Sequence, residues 1–192
     1  MATAQVSGGD SVLAALRAAT THARMELLDK LDLPAITRDR YEVFLGASIA
    51  VVAPLEARIA CWLGLPSDGF CRTTALRSDL AALGASELHP ADVPSISSLA
   101  EAMGAAYVVE GSALDGTKHA AAVARRLGDD APTRFLSLRG EQTGDRWRRF
   151  VMSLEHWGAH APKHARIMAC ESARATFAAY ASAFASVGAF AT

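Results

Sequence analysis

The 192-residue sequence predicts an all-α single domain, a compact bundle of about seven to nine helices. Three observations carry that expectation. Long segments repeat apolar residues every three to four positions between recognisable caps and breakers. Hydrophobic residues make up 51% of the chain, much of it alanine, against only 7% aromatics, which suits closely packed helices better than a sheet core. No segment sustains the alternation and β-branched content of a strand.

The elements follow in order. Residues 1–10 are small and polar and are expected to form a flexible N-terminus, leaving 11–188 as the helical domain. Ser11 is placed to cap a helix over 12–33, whose face is marked by Leu13, Leu16, Thr20, Leu27 and Leu31, with Pro34 ending it. A second helix over 40–63 opens after Thr37-Arg38-Asp39 and ends at Gly64; Pro54 inside it predicts a kink. A third covers 73–83 and closes at Gly84. Two prolines make 85–94 a loop. The pattern over 97–127 is helical but carries Gly104, Gly111 and Gly116, each costing ~1 kcal/mol against alanine, so a bend or a close approach is expected there. A loop at 128–132 precedes a short helical piece through Leu138, and helices over 143–157 and 163–187 complete the chain.

Bulk composition excludes several functions. A formal net charge of -1 offers no basic face for nucleic acid. Cys61, Cys71 and Cys170 are odd in number and form no CxxC pair, which argues against a disulfide framework or structural zinc and suits a reducing cytoplasm. The N-terminus lacks the basic start and apolar run of a signal peptide, and the apolar stretch 49–55 is too short to span a bilayer. A cytoplasmic protein without a membrane partner is the expectation.

Several pieces, in a shared order, resemble the bacterial heme oxygenases that produce biliverdin. They are Leu16-Arg17-Ala18-Ala19-Thr20; Tyr41-x-x-Phe44-Leu45 with Pro54-Leu55-Glu56; and Leu76-x-x-Asp79-Leu80-x-x-Leu83-Gly84. Gly104 through Ser112, including Tyr107-Val108-Val109-Glu110-Gly111-Ser112, resembles the kinked distal helix. Pro132-x-x-Phe135-Leu136, Gly140 and Trp147-x-x-Phe150-x-x-x-Leu154 follow. The resemblance implies a heme cofactor held between the first, proximal helix and the glycine-bearing distal helix. It also implies an external electron donor and, by analogy with bacterial members, a phytochrome or signalling partner. Arg17 and Arg148 fall where the resemblance places cations for the heme propionates, with Arg146 and Arg149 as neighbours able to substitute. The plainer reading of each arginine is an exposed helix face.

The sequence departs from the pattern at two positions. The resemblance puts an iron-ligating His four residues after Thr20, and that slot holds Arg24, whose protonated guanidinium has no lone pair for iron. A competing register, His22-Ala23-Arg24-Met25-Glu26, makes His22 the metal ligand. It requires two residues lost after Thr20, which would turn the upstream motif by ~200°. Arg24 in the slot is the favoured reading. On the distal side the expected Gly-Gly reads Leu114-Asp115-Gly116, so Asp115 is expected to project over the iron, where dioxygen binds in the family. A rotated helix with a solvated Asp115 is the alternative. Arg24 and Asp115 are opposite charges on facing helices, and an ion pair across the slot is expected.

The candidate distal residues are therefore Gly111, Ser112, Asp115 and Gly116; the candidate cofactor-binding residues are Arg17, Thr20, His22, Arg24 and Arg148. His119 reads as an ordinary polar residue, with a substitute iron ligand or proton donor as the sharper alternative. His156, His160 and His164 have suggestive spacing, but Gly158 and Pro162 predict a solvated loop rather than a metal site. Glu56 and Glu110 read as helix-pairing residues. Two functions remain: a divergent tetrapyrrole-binding or regulatory pseudoenzyme, favoured, and an active heme oxygenase releasing biliverdin, CO and ferrous iron with His22 on the metal. A thiamine-degrading enzyme on a related helical fold is disfavoured, since no Cys/Glu arrangement stands out.

Overall fold

The computed structural model describes residues 11–63, 72–137 and 142–188. Residues 1–10, Gly64, Cys71, Leu138 and Gly140, on which expectations were placed, lie outside the described residues. Within them are seven α-helices and no strand: α1 Val12–Leu31, α2 Arg38–Leu63, α3 Arg72–Leu83, α4 Leu99–Leu127, α5 Arg134–Ser137, α6 Gln142–His160 and α7 Lys163–Ser186.

Ser11 caps α1 through its hydroxyl, which accepts from Ala14 N. The same helix start is closed from a distance. Glu155 of α6 accepts from the Ser11 hydroxyl at 2.5 Å and from the backbone N–H of Val12 and Leu13 at 3.2 and 3.1 Å. A carboxylate there answers both the unpaired donors and the positive end of the helix dipole. The helix stops two residues before the sequence pattern suggested. Asp32 adopts a left-handed conformation at φ 40° and donates its N–H to Leu28 O, and Leu33–Ala35 form a 3-10 turn around Pro34.

α2 is one helix through Pro54. Proline has no N–H to give the carbonyl four residues back, that of Ala50. Ala91, in the loop before α4, donates to that buried carbonyl at 2.9 Å. The proline break is thus satisfied by tertiary structure. α2 is also long and apolar enough to cross a membrane by composition, more so than the 49–55 stretch suggested, yet 67% of its apolar window is buried inside the domain.

α3 ends in a Schellman turn: Gly84 sits at φ 72°, and the N–H of Ala85 reaches Leu80 O at 3.0 Å. Asp79 of α3 accepts from the first N–H groups of α5, Arg134 and Phe135, at 3.1 and 2.8 Å. Burial raises the Asp79 carboxyl's pKa, and those two backbone donors pull it back down. Ser98 caps α4, its hydroxyl accepting from Glu101 N at 3.2 Å, while the Glu101 carboxylate accepts from the Ser97 backbone N–H at 2.7 Å.

Two of the three α4 glycines are explained by packing. A Cβ on Gly104 would stand 2.0 Å from the backbone oxygen of Ala169 in α7, and one on Gly116 would stand 2.7 Å from Leu136 O in α5. They allow backbone to lie on backbone. α6 runs unbroken through Gly158, because there the missing Cβ makes room for Val12 of α1, which a side chain would meet at 2.2 Å. The helix expected to end at 157 therefore continues to His160, where a loop was expected. One apolar core, including Leu16, Leu45, Ile49, Leu55, Val109, Ala173 and Phe184, is shared by the helices.

Candidate functional site

The stripe that α1 turns inward, Arg17, Thr20, Arg24, Leu27, Leu28 and Leu31, faces Tyr107, Gly111, Ser112, Asp115 and His119 of α4. These spacings of three and four put each set on one helix side. Between them lies a cavity of about 440 Å³. Its deeper wall is aromatic. Phe44 of α2 stacks on Phe184 of α7 with centroids 5.7 Å apart and leans on Phe135 at 6.3 Å, while Trp147 of α6 meets Tyr107 at 6.0 Å. The result is a slot with apolar faces and a polar mouth.

At the mouth, the Arg24 guanidinium donates to the Asp115 carboxylate and ties α1 to α4. The Arg24 side chain is 44% exposed and that of Asp115 22%, so water reaches the pair and its net worth is ~0–1 kcal/mol. The buried-pair regime does not apply. Thr20 is buried, donating to Leu16 O at 2.8 Å and lying 3.4 Å from the Tyr107 hydroxyl. Ser112 donates to Val109 O within its own helix. At Gly111 an added Cβ would make only ordinary contact with Trp147, 3.7 Å away.

The remaining candidates divide. Arg17 lines the mouth. His22 points off the cavity: its side chain is 96% exposed and 3.8 Å from Glu26. Arg148 also lies off the wall, exposed and paired with Asp145 of its own helix. Arg146 is bidentate to Glu110 at 2.7 and 2.5 Å, tying α6 to α4, and Glu56 accepts from the N–H groups of Arg72 and Thr73 and from the Thr73 hydroxyl. Both glutamates join helices together. Burial raises the pKa of Glu56 against those donors.

One feature had no sequence signal of its own. Arg72, the first residue of α3, is buried in the cavity wall. Its guanidinium donates to Val109 O and lies 5.0 Å over the Phe135 ring, while its Nε has no partner. Burial lowers its pKa, and Tyr180, Glu110 and Glu56 oppose that. His119 is half-buried and lines the slot one turn beyond Asp115; burial lowers its pKa, with Asp115 opposing.

A shallow groove elsewhere is lined by His156, His160 and His164 with Leu99 and Met152. His160 Nδ1 lies 2.8 Å from His156 O, and the helix break at 161–162 moves His164 onto α7. Among the described residues no group of three or more His, Cys, Asp or Glu side chains is arranged to hold a metal. Cys61 and Cys170 are free thiols.

The fold is that of the heme oxygenases. The chain superposes on the NO- and CO-bound heme oxygenase of Neisseria meningitidis with a TM-score of 0.73, covering 95% of this chain and 94% of that one, at 23% sequence identity. No family model matches the sequence. No curated protein matches it either. The likeness therefore rests on the all-helical architecture alone.

Proposed function

We propose that this chain is a tetrapyrrole-binding protein of heme oxygenase-like fold, diverged from heme degradation toward a ligand-binding or regulatory role. The observation that carries the reading is the Arg24–Asp115 pair across the mouth of the slot. The apolar and aromatic walls and the flanking cation Arg17 suit a flat, carboxylate-bearing macrocycle. The donor set on α1 does not suit heme iron in the usual manner, because Arg24 has no lone pair.

Bound heme would supply redox-active iron. The residues here supply orientation: Arg17 for a carboxylate, and the Phe44, Trp147 and Phe177 walls for the plate. The competing reading, an active heme oxygenase with His22 on the metal, an external reductant and a phytochrome partner, has to bring His22 inward from an exposed face. That would displace the stripe of α1 that now faces the slot. A cytoplasmic location goes with either reading.

The test is hemin titration followed by a turnover assay with ascorbate or a ferredoxin-type reductant, monitored by bilin absorbance. Stoichiometric binding with little biliverdin supports the proposal. Robust biliverdin formation by the unmodified protein overturns it. The double change Arg24→His with Asp115→Gly is expected to raise turnover above that of either single change.

A further inference from the structure

Among the described residues, a single imidazole lines the slot between α1 and α4, and it comes from the α4 wall. His119 follows Asp115 by four residues, one helical turn on the same side. It lies close enough to Arg24 and Asp115 for both charges to act on its ring.

The other polar groups of the cavity are engaged or carry no nitrogen lone pair: Thr21 and Ser48 donate to Arg17 O and Phe44 O of their own helices, and the Tyr107 hydroxyl lies 3.4 Å from Thr20 Oγ1. Arg17, Arg24 and Arg72 have no lone pair to offer a metal. The Asp115 carboxylate is engaged by Arg24, and the hydroxyls of Thr20 and Ser112 point back to carbonyls of their own helices. Burial holds the Tyr180 phenol protonated, with its pKa pushed up to about 12. Met25 offers a thioether from a residue 62% exposed. His119 is half-buried in the wall, and its imidazole carries a nitrogen able to ligate a metal.

We propose that His119 ligates the iron of a bound tetrapyrrole from the α4 side, opposite the α1 side on which the resemblance places the ligand. The proposal rests on the reading of the slot as a tetrapyrrole site. It gives that site an iron donor the proximal helix lacks. It also occupies the iron face that a heme-degrading enzyme needs free, in keeping with a binding role.

The experiment uses the full chain and two probes, hemin and iron-free protoporphyrin. Wild type, His119→Ala, His119→Met and His22→Ala are titrated, with absorption and electron paramagnetic resonance spectra recorded for the ferric forms. Wild type and His22→Ala are expected to give the same imidazole-type spectrum. His119→Ala should bind hemin at least tenfold more weakly, lose that signature and regain it on adding free imidazole. His119→Met should convert it to a thioether-type spectrum, and iron-free protoporphyrin should bind wild type and His119→Ala alike. An unchanged hemin spectrum and affinity in His119→Ala, or loss of the signature in His22→Ala, overturns the ligand assignment while leaving the tetrapyrrole site standing. If neither probe binds wild type, the site reading and this assignment fall together.

Discussion

Among the described residues, two ion pairs that join α4 to its neighbours differ in access to water. Glu110–Arg146 ties α4 to α6 with side chains 7% and 21% exposed; Arg24–Asp115 ties α4 to α1 with 44% and 22% exposed. Five residues apart on one helix, Glu110 and Asp115 face different surroundings. The first pair is bidentate and packed beside the core, where removing one partner strands a buried charge. The second stands at the edge of a cavity, where water can replace either partner. A charge pair inside a seam acts as structure. One at the mouth of a slot can open without unfolding the domain, and so can be displaced by a ligand.

The largest expected effect falls on the buried pair. Glu110→Ala leaves Arg146 facing the interior without its carboxylate and should destabilise the fold by roughly 3 kcal/mol, the low end for a broken buried pair because Arg146 retains some exposure. Urea denaturation measures it. A loss under 1 kcal/mol would remove the distinction between the two pairs.

Next comes the packing seam. Gly104→Ala would drive a methyl to 2.0 Å from the Ala169 backbone oxygen, so α4 and α7 must separate. About 2 kcal/mol of destabilisation is expected after the ~1 kcal/mol helix-propensity gain of alanine is set against the overpacking. Gly111→Ala, in open contact with Trp147, should be neutral or slightly stabilising in the same melts. If Gly104 and Gly111 respond alike, the contacts found at α7 do not explain the glycine.

These contrasts also mark what was legible in the sequence. Ser11 and Gly84 act locally, so those helix ends could be read from neighbouring residues. Arg24 and Asp115 could be paired because the resemblance supplied a slot and the charges were opposite. Glu155 at the start of α1, Asp79 at the start of α5 and Ala91 on the Ala50 carbonyl join residues dozens of positions apart, and no local pattern encodes them. Gly158 shows the reverse failure. A local rule predicted a break, and contact with Val12 overrode it. Arg72 drew no expectation, because nothing nearby in sequence shows that it is buried.

The open pair should barely register in stability. Arg24→Met and Asp115→Gly are each expected to change unfolding free energy by ~0–1 kcal/mol beyond the intrinsic cost of placing glycine in a helix, and a double-mutant cycle should give coupling within that range. Ligand binding is where they should matter: either change opens the mouth, so hemin association should become faster. Coupling of 3 kcal/mol or more would mean that the pair behaves as a buried one and that the slot is shut.

The smallest effect is expected from His119, and its sign distinguishes an open mouth from a closed one. Burial sets its folded pKa below the ordinary 6.5, Lys118 and Arg24 push the same way, and Asp115 opposes them. A folded state that holds the proton more weakly than the unfolded chain contributes stability that is fully present above the unfolded pKa of about 6.5 and is lost as pH falls through the folded value. Wild type should therefore lose stability relative to His119→Leu as the pH is lowered from 7.5 to 5, with no divergence between 7.5 and 8.5. Proton-detected titration of the His119 ring should give a pKa below the ordinary 6.5. Asp115→Asn removes the one nearby charge that favours the imidazolium, so it should lower the His119 pKa further and steepen the acid loss. If Asp115→Asn leaves the His119 titration unmoved, the carboxylate at the mouth is fully screened by water, and the two residues do not act as parts of one site.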